Sequence, residues 1–281
     1  MTRKFTTLAI SAALGLLTGT PAGAAPFFFT TGAPDGLIAT LSRPAGAGHI
    51  QTETADDFTL GGSSSLTNAT FTGLLPLGTP LSSITGVEIE FYHLFPADSA
   101  NPPSGNVPTR AGSPADVEIA AATRDSGAGT LAFTPTLLSA SFAVANSLGV
   151  GGIPAVGAPG FPFTGGQGAA TGEEVLISVD FTTPVDLPAD HYFFRPEVEL
   201  SSGEFLWLSA PKTIPAPADL QSWTRNDDLA PDWLRIGTDI THQGPFNAAF
   251  SLTGEVPEPA SLTLIGIAFA GIGFARRRKL S

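Results

Sequence analysis

Val87-Glu88-Ile89-Glu90-Phe91-Tyr92 decides the fold, because apolar and polar side chains alternate along it without interruption. Successive side chains of a β-strand point to opposite faces of the sheet. The three apolar residues therefore share one face, and the two glutamates and the tyrosine share the other. An apolar face predicts contact with a core and an acidic face predicts exposure to water, so this stretch predicts a half-exposed strand.

Shorter versions of this pattern recur along the chain, between breaks rich in Gly, Pro, Ser and Thr about every ten residues. The clearest of them are residues 57–60, 69–74, 117–119, 175–181, 192–200, 205–209, 233–236 and 248–252. About nine to eleven strands with short turns predict an all-β fold, an antiparallel β-sandwich of the jelly-roll or Ig-like type. Residues 137–148 fit either a strand or a short helix. The Gly-rich residues 149–172 predict a long loop, which is either functional or mobile in a compact domain.

Cysteine is absent from the chain. Its absence excludes disulfides, thiolate metal sites and cysteine nucleophiles. A body of roughly 230 residues is long enough to bury a core without covalent help.

The first 24 residues have the three parts of a secretory signal peptide. Arg3 and Lys4 give the positive start, and residues 8–17 form an apolar stretch too short to span a bilayer. Ala22-Gly23-Ala24 then places small residues before a cleavage point. We therefore expect a signal peptide over residues 1–24 and an exported protein.

The body of the chain is more acidic than the net charge of the full sequence indicates, because the two ends are basic. They hold six of the 13 basic residues and one of the 25 acids, so the body has 24 acids against seven bases, a formal charge of −17. Such a domain repels nucleic acid and anionic lipid, and we expect no nucleic-acid partner. The acids themselves predict a solvated surface, with cation binding as the alternative.

The C-terminal end combines three features. Pro257-Glu258-Pro259 precedes an uncharged run, Ala260–Ala275, which is followed by the cluster Arg276-Arg277-Arg278-Lys279. As a helix the run would be about 24 Å long, slightly short of the roughly 30 Å hydrocarbon core, and the cations would favour the cytoplasmic side. The pattern predicts a single transmembrane helix over residues 260–275, with a buried core helix as the alternative.

These three features, in this order, resemble the PEP-CTERM sorting signal of Gram-negative bacteria. The resemblance implies that an exosortase recognises the tail, residues 255–281, and removes it near the Pro-Glu-Pro motif. It also implies secretion machinery as a partner, a transient stay in the inner membrane, and a mature protein at the cell surface or outside the cell. The host would be one that makes extracellular polysaccharide. The β-sandwich domain would then span residues 25–254.

Several segments of the body are similar to segments of a group of secreted bacterial β proteins that often carry the same kind of tail. These segments are Ala55–Phe58, Phe71–Pro76, Val107–Arg110, Asp186–Phe193 and Asp232–Gly237. The group has no settled activity, so the resemblance implies a fold and a class of protein and no catalytic residues.

Two tryptophan–arginine pairs are candidates for a ligand platform. Trp223 and Arg225, like Trp233 and Arg235, are two residues apart, so on a strand each arginine lies beside its tryptophan. Such pairs serve as sugar platforms or form cation–π contacts. The alternative is that each tryptophan belongs to the core and its arginine covers it from solvent.

The segment between these pairs is a candidate calcium site. Asn226, Asp227, Asp228 and Asp232 gather three carboxylates and an amide within seven residues, and calcium prefers oxygen ligands. The spacing is not that of an EF-hand. The alternative is a turn in which these side chains bond to the backbone.

Catalytic signatures are absent from the sequence. The four histidines have no zinc-binding spacing, and no nucleophile elbow or phosphate loop occurs. The acid pairs Glu88/Glu90 and Glu197/Glu199 would suit glycoside hydrolysis, yet a half-exposed strand gives the same alternation. We therefore predict a non-enzymatic structural or interaction protein without a resident cofactor. The alternatives are a polysaccharide- or calcium-binding module and, least favoured, a glycan hydrolase.

Overall fold

The alternating stretches of the sequence form strands that assemble into two sheets. The structure, a computed structural model, describes residues 24–46, 48–149, 152–153, 163–215 and 218–257. Its strands are β1 (Ala25–Thr30), β2 (Ile38–Leu41), β3 (Thr52–Thr59), β4 (Ser64–Leu75), β5 (Ile84–His93), β6 (Arg124–Asp125), β7 (Leu131–Val144), β8 (Asn146–Leu148), β9 (Ala170–Leu187), β10 (His191–Leu200), β11 (Leu206–Ala210), β12 (Trp223–Asn226), β13 (Leu234–Arg235), β14 (Asn247–Ala248) and β15 (Phe250–Val256). The predicted all-β class is confirmed.

The larger sheet has nine strands. Its main path runs β1-β15-β4-β11-β2-β8, with β9 on the other side of β4, β7 on the outer side of β9, and β14 beside β11. The prediction of a purely antiparallel fold is wrong at one place, because β2 and β8 pair in parallel. A parallel pair needs a crossover connection, and here the chain between the two strands passes through both sheets.

The smaller sheet has six strands in the order β13-β12-β3-β10-β5-β6. Its centre is the pair β10–β5, in which Arg195 lies opposite Glu90 and Glu197 lies opposite Glu88. On the other side of β3, Arg225 of β12 lies opposite Glu53. Strand register therefore places several charged residues side by side on one face of this sheet.

Both sheets contribute to the main hydrophobic core. Phe194 of the smaller sheet stacks on Phe250 of the larger sheet with ring centroids 5.0 Å apart. Phe91 and Phe181 make an edge contact across the same interior at 6.4 Å. Burying one such side chain contributes about 1.5–3 kcal/mol, and this aromatic interior fixes the inner face of each sheet.

The first and last strands of the described domain are neighbours. β1 and β15 pair antiparallel, and Ala25 lies opposite Val256. The chain from Ala25 to Pro257 forms one compact unit. The residue at the predicted signal-peptide boundary and the residue before the Pro-Glu-Pro motif are thus strand partners.

Three local predictions are resolved by the structure. Residues 117–119 are not a strand, because Val117 lies in a bend and Ile119 precedes a short 3-10 turn. Residues 137–148 are extended, since β7 and β8 cover most of them. Residues 233–236 give only the two-residue β13, which runs into a π-helical turn, Ile236–Ile240.

The signal peptide, apart from Ala24, and the apolar run Ala260–Ala275 lie outside the described residues. Within the described ranges, no helix has the length and apolar character needed to cross a membrane. The predicted signal peptide and transmembrane helix therefore stay predictions.

Candidate functional site

The outer face of the smaller sheet carries the densest cluster of titratable groups among the described residues. Residues that alternate with the core-facing side chains of β3, β5, β10 and β12 point to this face and meet there. We call this cluster the charge network; its members are Glu53, Glu88, Glu90, Tyr92, Arg195, Glu197 and Arg225.

Arg195 is the centre of the charge network and is almost completely buried. Its Nη2 donates to Glu90 Oε2 at 2.5 Å, and its Nη1 lies 2.9 Å from Glu197 Oε2. The same guanidinium lies 3.2 Å from Glu53 and 3.3 Å from Glu88. Four carboxylates therefore surround one cation.

Arg225 supplies the second cation. Its Nε donates to Glu53 Oε2, and its Nη2 lies 3.2 Å from both Glu53 Oε1 and Tyr92 Oη. The Tyr92 hydroxyl lies 2.8 Å from Glu53 Oε1 and 2.6 Å from Glu90 Oε2, so it links the two carboxyl groups. The network is continuous from β12 to β5.

The loop of residues 94–122 covers part of this face. Arg225 Nη1 donates to the Asp116 carbonyl at 3.0 Å, and Trp233 Nε1 donates to the Ala115 carbonyl at 3.2 Å. On this face Glu90 and Glu197 are buried, so the prediction that they lie on a half-exposed face is wrong. The prediction that the acids form a solvated surface is wrong for the network as well, although Glu199 is exposed.

The carboxyl groups of the network differ in pKa, because burial and the neighbouring charges act on them to different extents. Burial alone would raise the pKa of Glu53, but the guanidinium groups of Arg225 and Arg195 outweigh it and hold the pKa below the ordinary value. Burial raises the pKa of Glu90 to about 7 and that of Glu197 to about 8, against the attraction of Arg195. Of the carboxyl groups that face the two guanidinium groups, Glu90 and Glu197 thus retain protons near neutral pH.

Carboxyl groups with such pKa values have the acidity that general acid–base catalysis uses. Here, however, they are buried and bonded to one another through Arg195 and Tyr92. The larger cavities that the described residues form are lined by other side chains. The arrangement holds Glu90 and Glu197 inside the domain, where both face Arg195.

Asp56 and Asp57, the two aspartates of the segment Ala55–Phe58, form hydrogen bonds to distant segments of the chain. Asp57 Oδ2 lies 2.6 Å from His191 Nε2 and accepts from the Leu220 amide at 2.9 Å. Asp56 accepts from the Ala248 amide at 2.9 Å and from the Ser222 hydroxyl at 3.0 Å. Burial raises the pKa of Asp56, and the nearby charge of Asp57 adds to the effect.

The structure buries the tryptophans of the predicted ligand platform. Trp223 and Trp233 are at most 1% exposed, so neither ring offers a free face to a sugar. The Arg225 guanidinium lies over the Trp233 ring at 4.3 Å from its centroid, and Arg235 pairs with Asp239. This geometry is that of the alternative, in which the arginine covers a core tryptophan.

The residues of the predicted calcium site point to different partners. Asn226 Oδ1 accepts from the Leu229 amide at 3.0 Å, and Asp227 Oδ2 accepts from the Gln51 amide at 3.1 Å. Asp232 is buried beside Arg110 at 3.2 Å, whereas Asp228 is exposed. Across the part of the chain that the structure describes, no group of three or more His, Asp or Glu side chains has metal-binding geometry.

A polar cavity of about 690 Å³ lies between the loop after β2 and the turn after β10. Arg43, His49 and Glu204 supply charged and ring groups, and Ser201 and Ser202 supply hydroxyls. Arg43 pairs with Glu204 at the wall. Its Nε is buried with no hydrogen-bond partner among the described atoms. The cavity has the size of a small-molecule site.

Neither the curated proteins nor the solved structures include a significant match to this chain. One family model does match, the PEP-CTERM protein-sorting motif, over residues 255–279. Of the predicted sorting residues, Pro257 lies at the end of the described domain, and Glu258, Pro259 and the cluster from Arg276 to Lys279 lie outside it. The predicted tail is confirmed: the chain carries a PEP-CTERM sorting motif of the kind found on exosortase substrates.

Proposed function

We propose that this chain is an exported protein that an exosortase sorts and processes at its C-terminal tail. We further propose that its β-sandwich domain serves at the cell surface or in the extracellular matrix in a non-enzymatic structural or interaction role. The match of residues 255–279 to the sorting motif carries the proposal. The precursor is anchored in the inner membrane through residues 260–275, and the mature domain lacks this anchor.

The position of the motif in the chain supports processing. β15 ends at Val256, and Pro257 follows it directly. Cleavage near Pro257-Glu258-Pro259 therefore removes the tail without removing a strand from the larger sheet. A cut several residues earlier would instead take away the partner of β1.

The distribution of titratable groups supports a non-enzymatic role. Glu90 and Glu197, whose pKa values lie near neutrality, are bonded within the charge network and buried. The polar cavity beside Arg43 has a single histidine, and that ring has no carboxylate partner at hydrogen-bond distance among the described residues. The acids that line this cavity, Glu199 and Glu204, are therefore not bonded to its histidine, and Glu204 is instead paired with Arg43.

Intact-mass analysis of the exported protein tests the sorting proposal. The wild type in an exosortase-containing host should have lost the mass of the signal peptide and of the tail. A variant with alanine at Pro257, Glu258 and Pro259 should keep Arg276 to Lys279. A wild-type mature form that keeps the arginine cluster would show that the tail is a permanent anchor.

Polysaccharide binding is the second candidate function, and the polar cavity beside Arg43 is the observation that favours it. Its guanidinium, carboxylate and hydroxyl groups suit the hydroxyls of a sugar, and its volume suits one or two rings. A glycan array with the wild type and with Arg43→Ala tests this role. Binding that Arg43→Ala abolishes supports it, and an array without signal removes it.

A further inference from the structure

β7 is a long edge strand of the larger sheet. It runs for 14 residues, and its only strand partner among the described residues is β9. The edge at β1 is much shorter, with six residues. An edge strand presents backbone N–H and C=O groups that are free to pair with another chain.

β7 and the segments that precede and follow it in the chain have no charge, and the carboxylates beside it, Asp180 opposite Ala132 and Glu174 opposite Ser139, belong to its partner strand β9. No Asp, Glu, Lys, Arg or His occurs from Ser126 to Gly172, a run of 47 residues in a body whose formal charge is −17. Leu137 and Leu138, near the middle of β7, are 46% and 50% exposed. Natural edge strands are commonly guarded by charged side chains, lysine above all, and β7 has none.

The charge distribution identifies the occupant of this edge. Two copies of an acidic domain repel each other wherever their acidic surfaces approach within the roughly 8–10 Å over which charge is unscreened. At the β7 edge the strand that meets the second copy has no carboxylate of its own, and the carboxylates of β9 lie one strand further from the contact. Exposed leucines at the same edge add apolar area to the contact.

Two features of β7 limit the length of the pairing. Pro135 has no N–H group to donate, and the register with β9 shifts between Leu137 and Ser139 and again before Phe142. Such irregularities shorten an edge without giving it charge. Pairing is therefore centred on Leu138 and covers part of the strand.

We propose that two copies of this chain associate through β7, antiparallel and about a two-fold axis near Leu138. The contact extends the larger sheet of one copy into that of the other. Each copy contributes fewer residues than the 20–30 of a standard interface, so the dimer is weak and depends on concentration. Because a two-fold contact uses the same edge on both copies, it closes at two.

Cysteine scanning tests this arrangement, since the chain has no native cysteine. Single cysteines at Thr134, Thr136, Leu138 and Ala140 are introduced into the full chain and expressed in a Gram-negative host with an oxidising periplasm. Antiparallel pairing brings only the residue at the axis next to its own copy. We expect a single maximum of disulfide-linked dimer on non-reducing gels, at Leu138 or its neighbour in the scan.

Phe28→Cys is the matched control, because Phe28 is 66% exposed on the uncharged β1 edge of the same sheet. Equal dimer yields at Phe28 and along β7, or yields without a maximum, would overturn the proposal. Replacing Leu137 by lysine in the best-linking variant should abolish the linked dimer by placing like charges at the axis. Persistence of the dimer, or ladders larger than a dimer, would also overturn it.

Discussion

β5 and β7 are both long strands, yet their outward faces differ in charge and in exposure to solvent. In β5 the outward residues Glu88, Glu90 and Tyr92 join the charge network with side chains from β3, β10 and β12. In β7 the outward residues carry no charge, and Leu137 and Leu138 remain exposed. Alternation identifies which side chains share a face. What covers that face is decided by strands and loops far away in the sequence.

Polarity is therefore a poor guide to exposure in this domain. Glu90 of β5 is buried beside Arg195 of β10, and Glu53 of β3 is buried beside Arg225 of β12. The leucines of β7 are exposed because no described strand lies beyond that edge. Three measurements test this difference between β5 and β7.

The largest effect is expected for Arg195→Ala. Removing one partner of a buried ion pair leaves uncompensated charge and costs about 3–5 kcal/mol, and here four carboxyl groups would lose a shared cation. Urea unfolding should show the loss as a lower midpoint. Arg235→Ala is the control, since its pair with Asp239 is partly exposed and such pairs contribute about 0–1 kcal/mol. Equal losses would mean that the network contributes no more than a surface pair.

The second effect is a dependence of stability on pH. The pKa values of Glu90 and Glu197 in the folded protein, about 7 and about 8, lie above the ordinary 4.5 of a glutamate. The stability that these protons contribute is therefore fully present below about pH 4.5 and lost as the pH rises toward 7 and 8. For Glu90 the loss is on the order of 3 kcal/mol. Urea unfolding from pH 5 to pH 9 measures it.

Glu90→Gln separates this effect from general alkaline unfolding. Glutamine keeps the size of the side chain and cannot ionise, so the variant should lose less stability than the wild type between pH 5 and pH 8. On the acid side Glu53 acts in the opposite sense, because its lowered pKa gives stability that disappears as the pH falls. A wild type whose stability rises from pH 5 to pH 8 would contradict the proton-holding role of the network.

The smallest effect is expected at the exposed edge of β7. Leu138→Ala should change the unfolding free energy of the monomer by no more than about 0.5 kcal/mol, as is usual for surface positions. Leu208→Ala, at a completely buried leucine of β11, should cost about 2–5 kcal/mol. Thermal unfolding at low protein concentration compares the two. A large cost at Leu138 would mean that the edge of β7 is covered within one molecule.

The sequence was sufficient for the strands that carry the core. Residues 87–92 and 175–181 lie within β5 and β9, and the apolar residues on the predicted core-facing side of each are buried. The sorting tail could also be identified from the sequence, because it is a linear motif whose recognition does not require knowledge of the fold. In both cases the information lies within a few neighbouring residues.

The charge network could not be predicted in the same way. Glu53, Glu90 and Arg195 come from three strands, and only the registers of β3, β5 and β10 bring them together. One local signal was available, because Arg195 directly follows the aromatic run Tyr192-Phe193-Phe194. A cation that continues such a run indicates a buried acidic partner. The short β13 and the bend at Val117 were misjudged because a two-residue alternation is too brief to specify a strand.

The pairing of β1 with β15 also sets an order of events during folding. Thr30 and Phe250, which are bonded across this pair, are 220 residues apart in the chain. A ribosome completes β1 first and β15 almost last, so β1 has no partner strand until nearly the whole domain has been made. Contacts so distant in sequence form late because loop closure must precede them. The sheet edge is thus completed only when the residues next to the sorting motif are in place, and a chain truncated before β15 would leave Phe27, Phe28 and Phe29 unpaired.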